Sequence, residues 1–292
     1  MKKALIIGAA FVDIVVTVPE LLRSGGDVTG TLKQTTIGGC AFNVLGAISH
    51  SKQNADLFVP IGKGQYATLV RKKLSELNIP ILLPTKDGDN GWDICLIEPN
   101  GERSFLTIQG VEQNWQRDWF KQLNWENYQY VYLSGYEMEN IAAANEILAG
   151  LATAPKNIQI LFDASPRLKH IPQNTINRLM SMNVIINCNQ DEINVLEKKN
   201  NSIENKVKSI YHRTHHPIIV TLGSEGTYYY DGDTSEVIPA KKAKVVNTIG
   251  AGDTHCGALI AALLKGKTLK SAIIYSNKLA AKVVEQENGS LS

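Results

Sequence analysis

Short apolar runs rich in β-branched residues alternate with stretches of helical periodicity along most of the chain. The runs at 4–8 (ALIIG), 56–62 (DLFVPIG), 130–135 (YVYLSG), 158–165 (IQILFDAS), 184–189 (VIINCN) and 217–223 (PIIVTLG) predict strands, and the windows 43–50, 67–77, 142–151 and 203–212 predict helices. That order predicts an α/β fold, a doubly wound and mostly parallel sheet flanked by helices, with ligands at the carboxyl ends of the strands. The alternation fails between Ile79 and Ile108, where strand runs are joined by turn signals at Asp87-Gly88 and Asn100-Gly101 with no helix between them. Together with the runs at 13–20 and 31–39, this region predicts a small separate β-sheet, a lid built from about residues 12–37 and 79–108. No repeat, low-complexity tract or linker divides the chain, so a single domain over 1–292 is expected to carry that lid.

Composition changes this picture little but excludes several functions. With 292 residues of which 43% are hydrophobic, the chain can bury a large core and is not disordered. The net charge is +2 and the basic residues are spread along the whole length, so the basic stripe of a nucleic-acid binder is absent. Cys40, Cys95, Cys188 and Cys256 lie far apart with no CxxC pair, which points to a reducing, cytoplasmic setting. The opening MKKALIIGAAFVDIVVTVPE imitates a signal peptide, but Asp13 interrupts the apolar run and no A-x-A site follows; a buried first strand is the better reading. No stretch of membrane-spanning length is free of charges and turn signals, so no membrane partner is expected.

Candidate chemistry is concentrated in NTIGAGDTHCGALIAALL, from Asn247 to Leu264. Asp253 stands at the mouth of a predicted helix, where an acid is ordinarily a cap or a first-turn dipole partner. Gly250 and Gly252 alter that reading, because they allow a tight turn and clear side chains from the amides around Ala251, making a cradle for phosphate or a developing oxyanion. A carboxylate beside such a cradle can take a proton from an attacking hydroxyl while the amides stabilise the charge moving onto phosphate.

The pair IGGCAFN and NTIGAGD, in this order and separation, resembles the two signatures of the ribokinase (PfkB) carbohydrate kinase family, over essentially the whole chain. The resemblance implies a ribokinase-like fold and transfer of the γ-phosphate of ATP, with Mg²⁺, to a hydroxymethyl group of a sugar or sugar acid. Asp253 is then the general base, with Gly250, Ala251 and Gly252 as the anion hole. Asp13, Gly38, Gly39 and Asn43 match the acceptor-binding positions; on residue type alone, Asn43 reads equally well as a helix cap and Asp13 as a strand-end turn. NCNQDEINVL matches the N-x-x-E segment, so Asn189 and Glu192 would frame Mg²⁺ through its waters, although the same residues satisfy capping grammar. VTLGSEG brings Thr221 and Gly223 to the nucleotide phosphates by resemblance, and YSNKLAAK carries Asn277 to adenine.

Departures from the family pattern bear on the acceptor. Phe11 and Cys40 replace an asparagine and a lysine that serve ribose in ribokinase itself, which argues against free ribose and opens a nucleoside kinase as the alternative, with Phe11 as a ring for stacking. Arg167, in DASPR, stands where several members carry an arginine and is a candidate for a substrate anion. Asn247 replaces an aspartate that helps to hold a monovalent cation, leaving activation by such an ion open. An exposed lid edge allows a homodimer through the lid. The GKT triplet at 266–268 is not a P-loop, since Ala261 occupies the earlier glycine position and a helix precedes the triplet. A nucleotide-linked oxidoreductase lacks its early glycine fingerprint here, and a non-catalytic sugar-binding protein has no need of Asp253. His215-His216 and His255-Cys256 lack further ligands at metal spacing, and Trp115, Trp119 and Trp125 read as packing residues.

Overall fold

The computed structural model describes residues 2–199, 202–287 and 289–291. In chain order its regular elements begin with β1 (Lys3–Ile7), β2 (Phe11–Thr17), β3 (Thr31–Gly38), α1 (Cys40–His50), β4 (Ala55–Phe58), β5 (Pro60–Ile61), α2 (Gln65–Glu76), β6 (Leu83–Pro84), β7 (Trp92–Ile97) and β8 (Arg103–Ile108). They continue with β9 (Tyr128–Ser134), α3 (Tyr136–Glu139), α4 (Ile141–Leu151), β10 (Gln159–Asp163), α5 (Gln173–Met180), β11 (Val184–Asn189), α6 (Gln190–Leu196) and α7 (Ile203–Thr214). The last are β12 (Ile218–Thr221), β13 (Thr227–Tyr230), β14 (Ser235–Ile238), α8 (Ala251–Leu264) and α9 (Leu269–Val283).

Eight strands form the main sheet in the order β14-β13-β12-β11-β10-β9-β1-β4. The pairs from β4 through β12 are parallel, and β13 and β14 close the far edge as an antiparallel hairpin. Both faces of this sheet are buried, which is why its strands read as nearly continuous apolar runs. In β1, Leu5 and Ile7 join one core with Val131, Phe162 and Ile186, while Ala4 and Ile6 join the other with Leu161, Leu259 and Ile273. The predicted tryptophans pack as expected: Trp115 is buried against Phe58 and Phe120, and Trp125 lies beside Phe120.

The second sheet has the order β3-β2-β7-β8 and forms the lid. It is narrower than the range expected from sequence. Within 79–91, Leu83–Pro84 pairs in parallel with Pro60–Ile61 at the edge of the body, and Ile79 and Ile81 pack on the core. Asp89 is also held at the body, where its carboxylate accepts hydrogen bonds from Tyr66 N (3.1 Å) and Ala67 N (2.6 Å) and so caps α2. Turn residues placed between apolar runs look alike in a lid hairpin and in a body crossover, so the sequence pattern extends the lid too far. Buried Asn90 ties the root of β7 to the body, donating to Ala10 O (3.3 Å), Pro60 O (3.1 Å) and Glu112 Oε1 (2.7 Å).

Candidate active site

The carboxyl ends of the parallel strands deliver Ser134, Asp163, Asn189 and Thr221 to one rim of the sheet. Helix α8 opens at that rim after Gly250, whose φ of 72° and close approach to Gly289 leave no room for a side chain. A Cβ at Gly252 would meet nothing within 4 Å, so the first turn of α8 faces open space, as does Gly223 at φ +59° across the rim. Both are cradles of the kind that phosphate groups fill.

Asp253 lies in the first turn of α8, where its Oδ2 accepts a 2.8 Å hydrogen bond from Asn43 Nδ2. Asn43 is buried inside α1, three residues past its start, so neither it nor Asp253 is spent on capping its own helix. A small contact sets this meeting. Gly257, one turn after Asp253, approaches α1 so closely that a Cβ there would stand 2.5 Å from Val44 O and 2.7 Å from Ala47 Cβ. Burial raises the pKa of Asp253, and hydrogen bonds from Asn43 and Cys40 oppose the rise. Cys40 thus contributes a hydrogen bond to Asp253, and its own thiol is pushed well up by burial and by Asp253.

Gly39, immediately before α1, has a φ of 94°, and a Cβ on it would fall 2.7 Å from Ala9 O. Asp13 leans against the bare Cα of Gly38, where any Cβ would overlap its carboxylate. Its pKa is pushed up to about 8 by burial, by Asp93 and by Asp253, which puts it in electrostatic reach of Asp253. Phe11 is on the same lid face as Asp13, two residues earlier, and its ring covers Gly91.

Other acids at the site were not among the candidates from sequence. Glu137 follows β9, is 5% exposed, has Oε2 without a hydrogen-bond partner, and is raised to about 8 by burial. Asp163 accepts hydrogen bonds from Tyr132 Oη (3.1 Å) and Asn187 Nδ2 (3.4 Å) and is raised to about 7 by burial and by Asp253. Asp93 lies beside Asp13 in register and is raised to about 6 by burial. A signal existed for each: an acid ending or following a buried parallel strand, or interrupting the apolar run WDICLI, needs a reason to be there.

Several expected contacts are engaged within the protein. Arg167, on the segment after β10, makes a two-pronged pair with Glu139, Nε to Oε2 and Nη2 to Oε1 both at 2.7 Å. Asn189 and Glu192 form the complete capping box of α6, with Glu192 accepting from Asn189 N (2.8 Å) and Nδ2 (2.9 Å). Each Glu192 oxygen keeps a further lone pair, which suits a magnesium ion approached through water. Among the described residues no three His, Cys, Asp or Glu side chains are grouped to hold a metal directly. Thr221 donates to Cys188 O at 3.4 Å. Asn277 is buried, accepting from Thr227 Oγ1 (2.7 Å) and donating to Ile238 O (3.0 Å) and Pro239 O (3.2 Å), so its side chain braces α9 against β13 and β14. Asn247 is buried beneath the α8 loop, accepting from Ile249 N (2.9 Å) and donating to Glu287 O (2.8 Å).

The pfkB family carbohydrate kinase model matches residues 1–292. The chain belongs to this family. Among curated relatives of this pfkB kinase, the uncharacterized sugar kinase YegV of Escherichia coli (strain K12) is 30% identical over 291 residues, covering 99% of this chain and 90% of YegV. Arabidopsis thaliana ribokinase complexed with ribose and ATP superposes with a TM-score of 0.83 at 20% identity, covering 100% of this chain and 95% of that one. Burkholderia thailandensis nucleoside kinase in complex with inosine superposes at 0.78 and 19% identity, covering 98% and 91%. The kinase thus has the ribokinase-like fold expected from its two glycine motifs. No helix among its described residues is long and apolar enough to cross a membrane.

Proposed function

We propose that this pfkB kinase transfers the γ-phosphate of ATP to a hydroxymethyl group of a sugar, with Asp253 as general base. One observation carries the reading: Asp253 is half-buried, held by Asn43, and set beside a glycine-cleared helix mouth within electrostatic reach of Asp13. The carboxylate, made more basic by burial, takes the hydroxyl proton as attack proceeds. The amides of Gly250, Ala251 and Gly252 receive the charge developing on the transferring group. Asp13, Gly38, Gly39 and Asn43 orient the acceptor, and the lid excludes water that would otherwise compete for the phosphoryl group. Thr221 and Gly223 border the nucleotide phosphates, Asn189 and Glu192 would hold the waters of magnesium, and α9 with Asn277 borders adenine. Magnesium, when bound, neutralises phosphate charge. A monovalent cation near Asn247 would have to bind backbone oxygens, because the Asn247 amide is already bonded within its loop.

A nucleoside acceptor is the second reading, supported by the Phe11 ring on the acceptor face and by the fold's likeness to an inosine-bound nucleoside kinase. The reducing setting of the four separated thiols supports a cytoplasmic location. Exposed Leu32, Phe105, Leu106 and Ile108 on the lid support a homodimer through that sheet. Leu106→Asp is expected to convert a dimer to a monomer in light scattering; an unchanged mass would place any dimer contact elsewhere.

The test of function is ADP release on mixing with hexoses, pentoses, 2-keto-3-deoxy sugar acids and nucleosides. Asp253→Asn should lower kcat by on the order of 10²–10⁴ with ATP binding retained. Most of the activity surviving in a folded Asp253→Asn protein would remove the base assignment, and absence of acceptor-dependent ADP release would favour a sugar-binding role.

A further inference from the structure

Asp13 and Asp93 are register partners on adjacent parallel strands, so both side chains stand on one face of the lid. The row continues on either side to Thr36 opposite Asp13 and Thr107 opposite Asp93. Neither carboxylate receives a hydrogen bond from another described side chain, and Asp93 Oδ1 is shielded from solvent with no partner among the described residues. Two partly desolvated carboxylates side by side cost free energy unless something donates hydrogen bonds to them. Glu137, a buried acid whose Oε2 has no partner among the described residues, lies within electrostatic reach of Asp253. Arg167, the arginine expected for a substrate anion, has its guanidinium turned to Glu139, and Arg103 stands farther along the same face of β8, where its charge reaches Cys95.

The geometry points to Asp93 as a specificity-determining residue that, with Asp13, clamps an uncharged acceptor rich in hydroxyl or N–H donors and rejects sugar acids. This rests on the kinase reading above and narrows its substrate class. Carboxylates accept hydrogen bonds and have none to give when ionised, so a diol, or a nucleoside ribose with adjacent hydroxyls, supplies what the pair lacks. An acceptor bearing its own carboxylate would bring a further negative charge to Asp93 and Asp253 and to Asp13 and Glu137, whose carboxyls burial already biases toward their protonated forms.

The test uses the full chain and two readouts. Calorimetric titration without ATP, using D-ribose, D-fructose, uridine, inosine and 2-keto-3-deoxygluconate, measures acceptor binding alone; ADP release on the same panel measures turnover. At least one neutral compound is expected to bind, and to exceed the sugar acid by 100-fold or more in kcat/KM. Asp93→Asn should weaken binding of that neutral compound at least tenfold, raise its KM far more than it lowers kcat, and narrow the gap to the sugar acid by tenfold or more. Asp93→Ser, which removes the charge in a smaller side chain, should do the same and guards against a folding defect in one variant. Binding without turnover, still lost in the Asp93 variants, would sink the kinase reading and leave the clamp standing. Preference for 2-keto-3-deoxygluconate by the unmodified protein, binding of no neutral compound, or variants with unchanged affinity would each overturn the clamp.

Discussion

Replacing Gly257 by alanine should impair catalysis far more than stability. The new Cβ would sit 2.5 Å from Val44 O, whereas ordinary contact begins at 3.4 Å. A backbone carbonyl inside a helix cannot swing aside, so α8 and α1 must part by roughly 0.9 Å, and overpacking of this kind costs about 1–3 kcal/mol. Alanine regains about 1 kcal/mol of helix propensity over glycine, which leaves a net loss of about 0–2 kcal/mol and a melting temperature lowered by a few degrees at most. The catalytic effect comes from one turn away. The Asn43–Asp253 bond is 2.8 Å long, and stretching it by nearly an ångström takes it past hydrogen-bonding distance. Misplacing a reacting group by about 1 Å costs on the order of 10²-fold in rate. The assay is ADP release at saturating acceptor and ATP, run beside a thermal melt. A Gly257→Ala protein with kcat within twofold of the parent would refute the idea that this helix contact positions the base.

Asn43→Ala removes a hydrogen bond that lowers the pKa of Asp253, so the acid limb of the kcat/KM profile should move to higher pH, and an unmoved limb would separate Asn43 from the base. Stability should fall as pH rises. Asp13 and Glu137 are raised to about 8, and Glu112 and Asp163 to about 7, chiefly by burial. The folded state therefore binds more protons than the unfolded chain, and the stability this confers is fully present below the unfolded values near 4 and is lost as pH climbs through about 7 to 8. Melting temperature should decline between pH 6 and pH 9, with a shallower decline in Glu137→Gln; a rise over that interval would contradict the assignment.

The doubly wound sheet was legible because its strands are buried on both faces and so announce themselves as apolar runs between helical windows. Helix α1 starts at Cys40, three residues before the periodicity at 43–50, because a glycine pair and a cysteine carry no helical pattern. The hairpin of β13 and β14 went unread: TYYY and SEVI have few of the aliphatic residues that mark the parallel strands. At the site, Asp253, Asp13 and the glycines could be found because short motifs mark them. The pairing of Asn43 with Asp253 spans 210 positions and depends on Gly257, a residue whose role is visible only once two helices touch. Asp93, Glu137 and Asp163 are single acids without a motif, and only the fold gathers them. Capping grammar at Asn189 and Glu192 was legible and is realised in the complete capping box of α6.

The central lid strand β2 leaves body strand β1 after only Gly8, Ala9 and Ala10, and the connection is pinned where Gly39 lies against Ala9 O. A swing of the lid against the body would therefore pivot close to Asp13. Strand β2 has 7 residues and is about 23 Å long, so a swing of about 15° carries its far end some 6 Å, yet shifts Asp13, about 7 Å from the pivot, by less than about 2 Å. If Asp13 anchors the acceptor as proposed, the mouth can widen enough to pass a sugar while that anchor scarcely travels, and each round of entry and exit would begin from a grip already in position.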